Sequence, residues 1–196
     1  MPGGFKVELK GLNEVLNQLN VSSLEPEITG ELVTFGHNVV QDAQQTISDN
    51  GTTDRGLLIN SLKSVSEAPL TVNIFSNLEY AAYIEFGTRK FAAAHVATLP
   101  PDWKAFAAQY KGSGGGGSFA ELLKNITEWV RRKGFAAQVT TSGRKSKSKA
   151  SEAAQNQAAY LIARSIMVNG IRAQPFFFDA IQKNIPKLLD RLKALL

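Results

Sequence analysis

The chain has no cysteine in its 196 residues, which excludes disulfide scaffolds and thiolate metal sites. It has only two histidines, His37 and His95, with no HxxxH or HExxH context around either. The usual imidazole metal patterns are therefore missing as well. No stretch approaches the roughly 18 consecutive apolar residues of a membrane helix, and no basic start leads into an apolar run near the N-terminus. The chain reads as soluble, without a membrane partner, made in a cytoplasm-like compartment. Catalytic signatures are lacking too. There is no GxSxG elbow or SxxK, and Ser61, in Ile59-Asn-Ser-Leu62, has no such surroundings. The glycines between 112 and 117 are followed by no Lys-Ser or Lys-Thr and preceded by no apolar strand, so they read as a linker rather than a phosphate cradle. Carboxylates are scattered, and Glu79 and Glu85, six apart, point in different directions on one helix. These absences together argue against an enzyme and imply no cofactor and no metal site.

What is present is an ordinary globular balance, 43% hydrophobic and 20% charged, with an uneven charge distribution. The chain carries 22 Lys and Arg against 17 Asp and Glu, a net of +5. Seven of those basic residues (Arg131, Arg132, Lys133, Arg144, Lys145, Lys147 and Lys149) fall within 131–149, where there is no acid. The other 177 residues carry 15 basic and 17 acidic groups, a net of −2. Two readings stand for the basic run. It is a contact for DNA or a protein partner, which would make the chain a nucleic-acid-binding module, or it is a solvated loop that orders on assembly. Phe135 is the only aromatic there for stacking, and no recognition-helix pattern accompanies it.

Periodicity gives the architecture. Phe5, Val7 and Leu9 alternate with Lys6, Glu8 and Lys10, the pattern of a half-buried strand. Leu12, Val15, Leu16 and Leu19 follow at helical spacing. Ile28, Leu32, Phe35, Val39, Ala43 and Ile47 then form the longest apolar stripe in the chain, which predicts a long helix ending at Asp49-Asn50-Gly51. A shorter helix is expected over 53–62, with Leu57, Leu58 and Leu62 inward. Residues 64–68 and 70–76, split by Pro69, read as a β-hairpin, and 78–86 as a helix stopped by Gly87. Beyond it, 91–103 is Ala-rich and Pro-interrupted and reads as loop, holding His95; His37 reads as a packed or half-exposed histidine beside the long stripe. Two amphipathic helices follow. One carries Phe119, Leu122, Leu123, Ile126, Trp129 and Val130; the other carries Ala154, Ala158, Leu161, Ile162, Ser165 and Ile166. The last segment repeats Phe178, Ile181, Ile185, Leu188, Leu192 and Leu195, with Pro186 either kinking the helix or, with Asn184 as cap, starting a new one.

The expected fold is therefore α+β, a small antiparallel β-sheet packed against a long helix and a C-terminal helix. Residues 1–90 and 173–196 form this core domain. Residues 91–172 form a helical and loop insertion with two helices and flexible Gly-rich and Lys-rich tracts.

Three stretches stand out in order: Thr53-Asp-Arg-Gly-Leu-Leu-Ile-Asn-Ser-Leu62, Tyr80-Ala-Ala-Tyr-Ile-Glu-Phe-Gly-Thr88 and Arg172-Ala-Gln-Pro-Phe-Phe-Phe-Asp-Ala-Ile181. Together they resemble the tail-completion and head-to-tail joining (neck) proteins of long-tailed bacteriophages and prophages, including the gene-product-10-like tail components of lambdoid phages. The resemblance covers 5–90 and 170–196. Trp129 to Gly134 is similar to a helix in longer members, whereas the Gly-rich and Lys-rich tracts fall outside it, and Phe178-Asp179 departs from the usual motif.

The resemblance implies a structural virion protein, synthesised in the host bacterial cytoplasm and located in the neck or tail. It would form a hexameric ring in the particle and be a monomer when free. Its partners would be a head-completion or connector protein, a tail terminator or tail tube protein, and packaged DNA in passing. A tail terminator capping the tube is the alternative within the same particle. The motif residues expected to matter are Tyr80, Tyr83, Glu85, Phe86, Gly87, Thr88, Arg89, Pro175 and Phe176. Tyr80, Tyr83 and Phe86 recur at three and form an amphipathic aromatic patch of the kind interfaces use. Tyr83 reads rather as core-facing, and Phe86 fits core and interface equally. Glu85 and Arg89 are placed to pair at i and i+4. Pro175 and Phe176 are expected to anchor the last helix on the sheet.

Overall fold

The computed structural model describes residues 5–8, 24–51, 55–78, 80–110, 118–133 and 152–195. The apolar stretch 12–19, the Gly-rich tract and the basic residues Arg144, Lys145, Lys147 and Lys149 lie outside them. The fold is α+β, and the chain divides into two compact units, one of Met1–Phe86 with Ala173–Leu196 and the other of Gly87–Arg172.

The first unit is organised by helix α1 (Glu25–Asp49). All six residues of its stripe are buried. Each such aliphatic or aromatic side chain is worth about 1.5–3 kcal/mol against leaving it in water, so this face alone outweighs the weak propensity of a helix with Gly30, Gly36 and several β-branched residues. Against it lies a three-stranded antiparallel sheet, β1 (Phe5–Glu8), β2 (Leu62–Ala68) and β3 (Thr71–Ser76), in the order β1-β3-β2. Val7, Ile74 and Ser64 share one row of the register. Central β3 is more buried than β2, with Val72, Ile74 and Ser76 buried at alternate positions and Asn73 buried between them. Pro69 and Leu70 make the β2–β3 turn, Leu70 taking the left-handed φ of 57° that the third position of a type II turn demands. Helix α2 is one short turn, Leu57–Ser61. Its successor Leu62 already opens β2, so Leu57 ends up exposed rather than facing the core. Helix α3 is Ala81–Phe86.

The C-terminal helix α8 (Phe177–Leu195) was expected to cover the sheet, but it packs chiefly along α1, which carries the sheet and α8 at once. Polar ties fix this antiparallel pair. Asn184 is fully buried and donates from Nδ2 to Asp42 Oδ2 at 2.6 Å and to the Ala180 carbonyl at 2.9 Å, and Lys183 Nζ donates to Asp42 Oδ1 at 2.7 Å. Desolvation alone would raise the Asp42 carboxyl, but these two donors and the Lys183 and Lys187 charges hold it below the ordinary aspartate value. At the other end Arg191 Nε lies 3.1 Å from Glu31 Oε2, an ion pair by distance, while its N–H is aimed at the Lys187 carbonyl. Pro186 neither ends nor restarts the helix, and Asn184 links to α1 instead of capping. A buried tertiary partner overrides the local stop signal.

The second unit holds four helices among the described residues rather than the two expected: α4 (Arg89–Thr98), α5 (Pro101–Ala108), α6 (Phe119–Lys133) and α7 (Glu152–Asn169). The misread stretch is Ala-rich because it is helical, and Pro100-Pro101 punctuates two helices, with Pro101 at the first helical position where its missing N–H costs nothing. His95 accordingly lies on α4. Helices α6 and α7 form the main pair, closed around Val130, Ala159 and Ala163. Small residues at the α7 contact turn that helix, so Leu161, expected inward, is 56% exposed, with Val168 at 66%.

Gly36 sits where α1 crosses the sheet: a Cβ there would collide with the Ser64 side chain and lie 2.6 Å from Val72 Cγ2. At Gly30, six residues earlier on the same helix, a Cβ meets nothing within 4 Å. Chemical denaturation should therefore separate two alanine variants of one helix. Gly36→Ala should lose about 1–3 kcal/mol through overpacking, whereas Gly30→Ala should gain roughly 0.5–1 kcal/mol from helix propensity.

Candidate functional site

The chain enters helix α8 through Pro175-Phe-Phe-Phe178, with no Ser, Thr, Asp or Asn to cap it. Its first amide groups lack intrahelical acceptors and, being buried, need one from elsewhere. Glu85 on α3, about 90 positions earlier, supplies it. Its Oε2 accepts the amides of Phe176 at 2.8 Å and Phe177 at 3.0 Å, and Oε1 accepts that of Phe178 at 2.9 Å. The Ile84 carbonyl accepts the Gln174 amide at 2.8 Å beside it. Two motif stretches far apart in sequence are thus one structural element, a remote helix cap.

The cap is dry. Glu85 is 0% exposed, and Phe86, Phe176 and Phe177 around it are buried. Burial pushes the Glu85 carboxyl up to about 7; the three amides oppose that rise and nearby Asp179 adds to it. The i,i+4 ion pair expected with Arg89 is not what this carboxylate makes, because both its oxygens are taken by amides. Pro175 is half-buried, and the amide of Phe176 beside it ties the helix start to this cap. The aromatic triplet divides accordingly. Phe86 belongs to the core, while Tyr80 and Tyr83 are 40% and 37% exposed, Tyr83 turning outward against expectation because the inward positions of so short a helix are taken by Ala81, Ala82, Glu85 and Phe86.

In the second unit a matching stitch joins its two ends. Gly87 takes a φ of 75°. The Thr88 amide donates to the Ile171 carbonyl at 2.9 Å, and the Ile171 amide donates to Thr88 Oγ1 at 2.7 Å. Gly170, at φ 89°, lies so close to Thr88 that a Cβ would collide with its carbonyl oxygen. Arg89 follows, exposed and at φ 54°. Of the basic residues on α6, Arg131 donates to Glu152 at 2.8 Å and Arg132 lies 3.9 Å from Glu128, while Lys133 is exposed.

Ser61 and His37 lie elsewhere in the first unit. Ser61 is buried, donates to the Leu58 carbonyl at 2.7 Å and shares a 2.8 Å hydrogen bond with Ser76. His37 is exposed on the rim of an open groove of about 360 Å³ between α1 and β2, lined by Val40, Gln44, Leu62, Ser64 and Val65 among others. Among the described residues no group of three or more His, Asp or Glu is placed to hold a metal ion, and no helix is long and apolar enough to cross a membrane. No family model matches this chain, and no curated protein or solved structure matches it.

Sequence reasoning missed what Glu85 does, although two signals were available: a carboxylate set between Ile84 and Phe86, and a helix opening on three phenylalanines without a cap. Two outcomes follow. Glu85→Gln, which turns one acceptor into a donor facing an amide, should cost about 1–3 kcal/mol in denaturant titrations at pH 7, and Glu85→Ala, orphaning three amides, should cost more. Because the folded value lies above the ordinary 4.5, the native state holds a proton that the unfolded chain has released between about pH 4.5 and 7. Glu85 should therefore lower stability as pH rises through that window, by up to about 3 kcal/mol, and Glu85→Gln should abolish that part of the slope.

Proposed function

We propose that this protein is a structural component of a phage neck, a tail-completion or head-to-tail joining protein that docks the tail to the head connector as part of a six-membered ring. The observation that supports this reading most is the remote cap. Two of the three stretches that carry the resemblance, 80–88 and 172–181, meet through Glu85 and the Phe176–178 amides, so they serve one architecture rather than two coincidental strings. The cap also fixes the helix that presents Tyr83, next to Tyr80, and rings with polar tips suit a subunit contact. Heterologous contacts repeated by a sixfold rotation would close such a ring. No catalytic step is assigned. The protein acts by filling and sealing a joint.

Deleting the gene from the phage or prophage that carries it should leave filled heads beside separate, finished tails in electron micrographs. Joined, infectious particles would sink the reading. Complementation with Tyr80→Ala/Tyr83→Ala should leave the monomer folded and reduce particle joining by about tenfold or more, the loss expected when an interface anchor worth about 1.4 kcal/mol or more is removed.

A further inference from the structure

The division into two units redraws the charge map. Gly87–Arg172 carries 14 Lys and Arg against 4 Asp and Glu, a net of +10. The remainder, Met1–Phe86 with Ala173–Leu196, carries 8 against 13, a net of −5. The positive excess therefore extends through the whole second unit instead of ending with 131–149.

Within that unit one cluster differs from the rest. Lys90 Nζ lies 5.2 Å and Arg172 Cζ 5.4 Å from the centre of the Phe91 ring, which bounds the two charges at about 11 Å apart. Arg89 is adjacent in sequence, and all three cations are exposed. Arg131 and Arg132 have acidic neighbours, but none of Arg89, Lys90 and Arg172 makes an ion pair among the described residues. Their placement is costly for the free protein. Arg89 holds a left-handed φ of 54°, and Arg89 and Lys90 occupy a first helical turn that has no acid. The helix dipole disfavours cations there, and the left-handed conformation is unfavourable for a residue with a Cβ. A polyanion offsets both the mutual repulsion and the dipole.

We propose that Arg89, Lys90 and Arg172, gathered at Phe91, form a phosphate-contacting patch for duplex DNA on the second unit. With at most about 11 Å between them, the two charges are close enough to engage neighbouring phosphates of one strand together. Phe91 is half-buried with both cations against it, so its ring serves to hold them rather than to stack on a base. The binding is thus to the backbone and independent of sequence. It does not depend on the neck reading, since the patch belongs to the isolated chain.

The test is fluorescence anisotropy of the full chain with a labelled mixed-sequence duplex of about 30 base pairs, titrated from about 50 to 200 mM salt. The unmodified protein should bind with affinity falling linearly in log salt. The triple variant Arg89→Gln/Lys90→Gln/Arg172→Gln should bind about tenfold or more weakly at the low-salt end and show a slope shallower by about 2 to 3, since each phosphate contact contributes about 0.9. Arg172→Gln alone should flatten the slope by about 0.9, and Arg172→Lys should restore it, which separates charge from any folding defect seen by circular dichroism. Arg131→Gln/Arg132→Gln/Lys133→Gln should leave affinity within about threefold, because two of those side chains already have acidic neighbours. The proposal is overturned if the unmodified chain does not bind the duplex, if the triple variant keeps its affinity and slope, if the 131–133 variant abolishes binding instead, or if polyglutamate of equal charge binds as tightly as DNA.

Discussion

A buried carboxylate that must satisfy three amides is the constraint on which the first unit depends. The start of α8 is too apolar to cap itself, and Pro175 contributes no N–H. Leaving three amides dry and unpaired would cost several kilocalories per mole, a large share of the stability of any domain. Glu85 removes that cost but has to be desolvated to do so, which is why its carboxyl is held up near 7. The two requirements lock together. The helix needs the acid, and the acid at that depth needs the helix amides, so α3 and the start of α8 hold a fixed relation while the intervening chain forms a unit of its own.

From that point the rest of the unit follows. Once α8 is capped at its N-terminus, its buried face lies along α1, where Asn184 and Lys183 meet Asp42 and Arg191 approaches Glu31. Helix α1 presents its other contacts to the sheet at Gly36, the place where backbone and strand come closest. A single long helix is thus shared between two neighbours. The second unit solves its own closure differently, by pairing Thr88 with Ile171 through two backbone-anchored hydrogen bonds and using glycines at 87 and 170 to make the approach possible. It also carries the positive charge, segregated from an acidic partner unit of the same chain.

Much of this was legible in the residues. The stripe from Ile28 to Ile47 announced α1 because burial on one helix face imposes a period that survives without any tertiary knowledge. The hairpin around Pro69 was legible for the same reason at period two. Leu57 and Leu161 were misread because periodicity gives a helix its apolar residues but not its rotation: Leu62 was claimed by a strand, and small alanines rather than the larger leucine took the α6–α7 contact. The helices of 89–108 were missed because Pro was weighed as a breaker where it begins a helix. Of the candidate site, the motif residues were visible but their division of labour was not, since nothing local distinguishes a carboxylate that will be dehydrated from one that will meet Arg89.

The sequence by itself determined the α+β class, the position of the long helix and the concentration of charge, because each is a property of composition or of period along the chain. Tertiary structure alone decided that Glu85 caps a helix some 90 residues away, that α8 lies on α1 rather than on the sheet, and that Lys90 and Arg172, 82 positions apart, share one ring. The physical reason is the same in each case. Hydrogen-bond satisfaction and charge proximity depend on distance in space, and distance in space is set only when the whole chain has closed on itself.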